Sequence, residues 1–226
     1  MKKMSVFAGV LTVGFSAAAV AAPTHERVRG TVTSIDATTL VVHTATGDES
    51  VALTPSTHFL EVKKASLSDV TPGSFIGTAT KSVGSMTVAL EVVVFPPAMK
   101  GTGEGHYAWD KINDTTRGGA SKTSSSMTNG SVAAVATPSA KVSSSMTNGS
   151  VSTMASAGGA QQLTVTYKGG KQTIIVPPTA PIVTFVPGTM SDVKAGQTVF
   201  VNGLTDGTTV TAAAVAVGVD GATPPM

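Results

Sequence analysis

An all-β fold of two small barrel- or sandwich-like lobes, joined by an insert rich in Ser, Thr, Ala and Gly, is the architecture that the sequence predicts. Three observations carry the prediction. The first is a diverged internal repeat. The shift that takes Leu40 onto Leu163 also takes Val94 onto Val217 without a gap, and it superposes Gly47 on Gly170, Pro55 on Pro178 and Ser68-Asp69-Val70 on Ser191-Asp192-Val193. The second is texture: short β-branched and apolar runs alternate with polar turns, and no long segment has a helical period. The third is composition, since charged residues are only 12% of the chain, about half the usual share. The repeat matches sit at turns and apolar positions, which a shared fold preserves and a shared active site does not require.

Met1 to Ala21 reads as a secretory leader, with Lys2 and Lys3 at its charged start, Val6 to Phe15 as its apolar run and Ala19-Val20-Ala21 as a small-residue cleavage site. This reading implies a periplasmic or secreted protein. Cysteine is absent, so export is managed without disulfides and each lobe must be held by burial. No later stretch approaches a membrane-spanning length. The 15 basic residues exceed the 13 acidic ones only by the two lysines of the leader. Such balance argues against nucleic acid, which demands an excess of Lys and Arg on one face.

In the first lobe, placed at residues 27–97, Val28 to Ile35 and Leu40 to Thr44 are strands about the turn Asp36 to Thr39. A turn at Thr46-Gly47-Asp48 leads to a strand ending before Pro55, and Phe75 to Thr80 and Thr87 to Phe95 supply two more. Ser66 to Val70, stopped by Pro72-Gly73, reads as a single helical turn capped by Ser66 or Ser68, with Asp69 as a cap or turn residue and not a catalyst. Pairing the last strand of a copy with its first would remove exposed edges. The second lobe, at 148–218, repeats the plan with Gly149-Ser150-Val151 opposite Gly30-Thr31-Val32, followed by strands at Leu163 to Tyr167, Gln172 to Val176, Ile182 to Phe185, Thr198 to Val201 and Thr209 to Val217. Residues 219–226 are expected to be a flexible tail.

The pattern Gly30-x-Val32-x-x-Ile35-Asp36, Thr39-Leu40-x-Val42, Gly47 and Leu67-x-Asp69-Val70-x-x-Gly73 resembles small exported bacterial β domains of unknown function, which are often tandem and barrel-like. The resemblance covers Arg27 to Val94 well and Gly149 to Val217 more weakly. It implies a fold and an exported address, and it brings no catalytic residue.

Residues 98–147 are expected to be an aromatic loop and a low-complexity linker. Glu104-Gly105-His106-Tyr107-Ala108-Trp109-Asp110 holds the single Trp and one of two Tyr. One reading is a transition-metal site with His106, Asp110 and Glu104 as ligands and Met127 in reserve. A better supported reading makes Tyr107 and Trp109 anchors that fix the loop to the first lobe, and a third is contact with a sugar or peptide through the indole. Gly101, Gly103 and Gly105 lack the strand, helix and Gly-Lys-Ser/Thr of a phosphate cradle, and no Gly-x-Ser-x-Gly elbow occurs.

Within the linker Ser124 to Val132 returns unchanged as Ser143 to Val151. Either copy suits the first strand of the second lobe. A silent duplication is the simpler account; the sharper one is a spare strand that pairs with another molecule. The sequence as a whole points to a non-enzymatic exported binding or structural module, with an unknown protein or cell-envelope partner and no cofactor. The alternative is a periplasmic metal-handling accessory built on the His106 segment.

Overall fold

The computed structural model describes residues 22–119, 121–137 and 159–225, and the chain is all β. The expected leader and the later copy Ser143 to Val151 lie outside the described residues. The first strand, β1 (Thr24–Ile35), turns into β2 (Thr39–Thr44) because Asp36 Oδ1 accepts the backbone N–H groups of Thr38 and Thr39. Next come β3 (Gly47–Ala52) and β4 (His58–Lys64). A 3₁₀ turn, Leu67–Asp69, is closed by Asp69 Oδ2, which accepts from both the backbone N–H and the hydroxyl of Ser66. The hairpin β5 (Phe75–Val83) and β6 (Met86–Val94) follows.

Residues 98–147 differ from the linker expected there, because they contain two strands. These are β7 (Gly105–Asn113) and β8 (Lys122–Ala136), joined through the 3₁₀ turn Thr115–Arg117. The chain then forms β9 (Gln161–Tyr167), β10 (Gly170–Val176) and β11 (Ile182–Pro187). A second capped 3₁₀ turn, Met190–Asp192, precedes β12 (Thr198–Thr205) and β13 (Val210–Gly218).

Pairing crosses between the two copies instead of closing each upon itself. β1 lies antiparallel to β2 and β12, β2 to β3, and β12 to β13. β13 then meets β3 in a short parallel contact, Val210 opposite Val51, which closes a ring. A second ring runs from β8 to β9, β9 to β10, β10 in parallel to β6, β6 to β5, and β5 back to β8. Each ring therefore takes strands from both halves of the chain. β4 and β11 pair antiparallel between them, β4 lying parallel to β13 and β11 parallel to β6, so that the thirteen strands of the described residues belong to one sheet.

The two rings share their irregularities. The β1–β2 register shifts between Val32 and Ser34, and the β8–β9 register between Val132 and Ala134. Ala79/Thr80 on β5 and Asn202/Gly203 on β12 mark a second matching pair of shifts. Such bulges bend a strand and tighten its twist, which is what closing a small ring demands. A Cβ on Gly30 would collide with the His43 carbonyl and the Val42 side chain, and one on Gly130 with the Thr166 carbonyl and Val165. The earlier duplicate, Gly130-Ser131-Val132, thus stands where the sequence placed Gly149-Ser150-Val151 against Gly30-Thr31-Val32.

Alternating residues of each ring point inward and exclude water. Val28, Leu40, Val42, Val51, Val201 and Val215 belong to one apolar cluster, and Ile76, Val92, Leu163, Val165 and Ile174 to the other. A third cluster joins the rings through Val62 of β4, Val93 of β6, Phe185 of β11 and Ala216 of β13.

Candidate functional site

Among the described residues β7 is the element that the repeat does not account for. It pairs with β8 alone, yet its side chains reach β1 of the other ring. Asp110 accepts hydrogen bonds from Arg27 Nε at 3.0 Å, Arg27 Nη2 at 2.9 Å and Arg29 Nη2 at 2.8 Å. The Arg27 hydrogen bonds, opposed by partial burial, hold the Asp110 carboxyl below its ordinary range. The same bonds push the Arg27 guanidinium up. Arg27 also lies 4.1 Å from the Trp109 ring centroid, and Tyr107 meets that ring edge-on at 5.8 Å. A cation over an indole face is attracted by the ring quadrupole, so the stack and the ion pair act together as a clasp between the rings.

The residues proposed as metal ligands are engaged separately. Asp110 faces the two arginines, whereas His106 Nδ1 is 2.9 Å from Thr128 Oγ1 with its ring stacked on Tyr167. Glu104 Oε1 accepts the backbone N–H of Lys168 at 3.0 Å. Among the described residues no three His, Cys, Asp or Glu side chains gather as a metal-binding group. Met127 is buried with Ala79, Leu90 and Ile112 beneath Trp109. Tyr107 remains 38% exposed.

The β7–β8 hairpin is fixed at its turn by a buried ion pair. Lys81 Nζ of β5 lies 2.8 and 2.7 Å from the two Asp114 oxygens and 2.6 Å from Thr116 Oγ1. Burial pushes the Asp114 carboxyl up, but the Lys81 and Thr116 hydrogen bonds outweigh it and the net shift is downward. The segment after β13 is packed and not a free tail. Asp220 (φ 52°) and Gly221 (φ 69°) turn the chain back, and Ala222 enters the cluster between the rings.

Beside the clasp lies a cleft of about 720 Å³. One wall comes from β1 and β12, another from β6 and β11; the β7–β8 hairpin and residues Gly221 to Pro225 complete it. Its charged side chains are Arg29, Lys64, Lys111 and Lys122 against the single acid Glu91. Ile182, Val183 and Phe200 supply apolar surface. Of these charged and apolar cleft residues, Lys111 and Lys122 lie in the 98–147 segment that the sequence singled out, and none belongs to a recognisable motif. The cleft exists only because residues far apart in the chain converge.

No family model matches the chain, and no curated protein or solved structure shows significant similarity to it.

Proposed function

We propose that this protein is a non-enzymatic exported binding module, built from two barrel-like lobes that descend from one repeat, with its ligand site in the cleft between them. The observation that carries the reading is the cleft itself. Its volume falls within the range of roughly 300–1,000 Å³ typical of small-molecule sites, and its walls combine apolar surface with a few convergent charges. Junctions between lobes are common places for such sites. The descent of the lobes is supported by the matching bulges and by Gly30 and Gly130, whose surroundings correspond residue for residue. The exported address rests on the leader-like Met1 to Ala21.

The non-enzymatic part is supported by how four of the aspartates are engaged. Asp69 and Asp192 close turns, Asp110 binds two arginines and Asp114 binds a lysine. A general acid or base needs a proton to exchange near neutral pH, and all four are held ionised. The test uses Nile red, a neutral apolar dye, on the leader-free protein. Saturable binding should be abolished by Thr223→Phe, which fills the cleft from an exposed position. Undiminished binding to the variant removes the cleft as the site.

A further inference from the structure

We infer that the cleft selects a small organic anion, a carboxylate, sulfonate or phosphate carried on an apolar body. This rests on the binding-module reading and adds the chemical class of the ligand. The first ground is charge. Four basic side chains and one acidic side chain line the cleft, in a chain whose acidic and basic residues are otherwise nearly balanced. Low-dielectric walls concentrate the field of such a cluster and attract counter-ions into it.

The second ground is that the cations are poorly satisfied by the protein. Lys64, Lys111 and Lys122 make no ion pair among the described residues, where Lys63 and Lys81 both do. Arg29 uses Nη2 on Asp110, but its Nε is buried without a hydrogen-bond partner. A buried donor left unpaired is costly, and a bound anion is the acceptor that it lacks. Arg29 is meanwhile held in place from below, its guanidinium 4.9 Å from the Phe200 ring centroid.

The third ground is where these residues come from. Lys111 sits near the end of β7 and Lys122 starts β8, on a hairpin that has no counterpart at β1 among the described residues. The repeat explains the two rings; the added hairpin turns the junction on its side into a basic site. Apolar surface from Ile182, Val183 and Phe200 then suits the rest of an amphiphilic ligand better than it suits a bare inorganic ion.

The probe is 8-anilinonaphthalene-1-sulfonate, followed by its emission on the leader-free protein. One saturable site is expected, weakened by salt and by Thr223→Phe. Reversing two exposed charges with Lys111→Glu/Lys122→Glu should weaken it at least about tenfold, and the milder Lys111→Gln/Lys122→Gln should do so less. Octanoate should displace the probe where 1-octanol at the same concentration does not. Equal affinity in the charge-reversed protein, or equal competition by octanol, overturns anion selection. If Nile red still binds in the cleft in that case, the binding-module reading survives without it; if neither dye binds, both fall. Circular dichroism and melting of each variant confirm that the comparison is between folded proteins.

Discussion

The carboxylates of this protein show how one residue type takes different roles according to its surroundings. Asp206 is exposed in the β12–β13 turn, where the Thr208 hydroxyl and the backbone N–H groups of Thr209 and Thr208 push it down to about 2 from an ordinary 3.8. Asp36, Asp69, Asp110, Asp114 and Asp192 are lowered as well. A carboxylate whose value falls on folding adds stability that is complete above its unfolded value and is lost as pH drops through the folded one. Stability measured by urea unfolding should therefore hold steady from neutrality to about pH 5 and decline between roughly 4 and 2. A flat profile through that window would show that these turns do not persist. Lys81 poses the opposite problem. Its side chain is 12% exposed and that of Asp114 only 6%, so Lys81→Met leaves a buried carboxylate with only the exposed Arg117, its Nε 4.0 Å from Oδ2, as counter-charge. The expected loss is about 3–5 kcal/mol, and a loss below about 1 kcal/mol would mean that water reaches the pair. Asp69 was legible from sequence because its Ser66 partner is three residues away. Asp110 was not: Arg27 and Arg29 lie 83 and 81 positions earlier, and only the fold brings them together.

At the level of elements, local patterning revealed strands where turn residues punctuated them, as in β1, β2, β9 and β13. It missed β4, whose Phe59-Leu60-Glu61-Val62 has no clean alternation, although the repeat places this segment on Ile182 to Phe185 of β11, which was recognised. β8 was hidden for another reason. Ser, Thr, Asn and Gly are poor strand formers by composition, and they form one here because β5, β7 and β9 all pair with them. The duplication provides a direct test. Every buried position of β8, namely Ser125, Met127, Thr128, Asn129, Gly130 and Val132, falls in the block that recurs unchanged as Ser143 to Val151. Deleting Ser124 to Val142 joins Thr123 to Ser143 and alters β8 only at Ala133, Ala134 and Val135, which are exposed or half-buried. The shortened protein should keep its strand content and melt cooperatively, because the same side chains re-enter the same places. Deleting Ser124 to Val151 removes both candidates and should prevent folding. If the shorter deletion also fails to fold, the two copies are not interchangeable. If it folds but loses an association that the parent shows in solution, the later copy serves a partner molecule instead.

For the whole molecule, the described strands form one sheet whose pairing the repeat did not reveal. Similarity between Leu40 to Val94 and Leu163 to Val217 is compatible with either way of pairing the strands, since an exchanged arrangement presents each strand with a neighbour of the same kind. The reversed strand order shows this: β3-β2-β1-β12-β13-β4 on one side corresponds step for step to β10-β9-β8-β5-β6-β11 on the other. Exchange has a mechanical consequence that separate lobes would not have. β1, β2 and β3 are completed by β12 and β13, while β5, β6 and β8 are completed by β9 and β10. Among the described residues neither half of the chain contains a whole ring, so neither has a complete ring core of its own to bury. A protease site placed between residues 137 and 159 should yield two pieces that co-elute in size exclusion and separate only in denaturant. The intact chain should unfold in a single transition, with Trp109 emission and far-ultraviolet circular dichroism coinciding. Separation of the pieces under native conditions would contradict the exchanged pairing. Two resolved transitions would mean that the third apolar cluster, built from Val62, Val93, Phe185 and Ala216, does not couple the rings strongly enough to make them one folding unit.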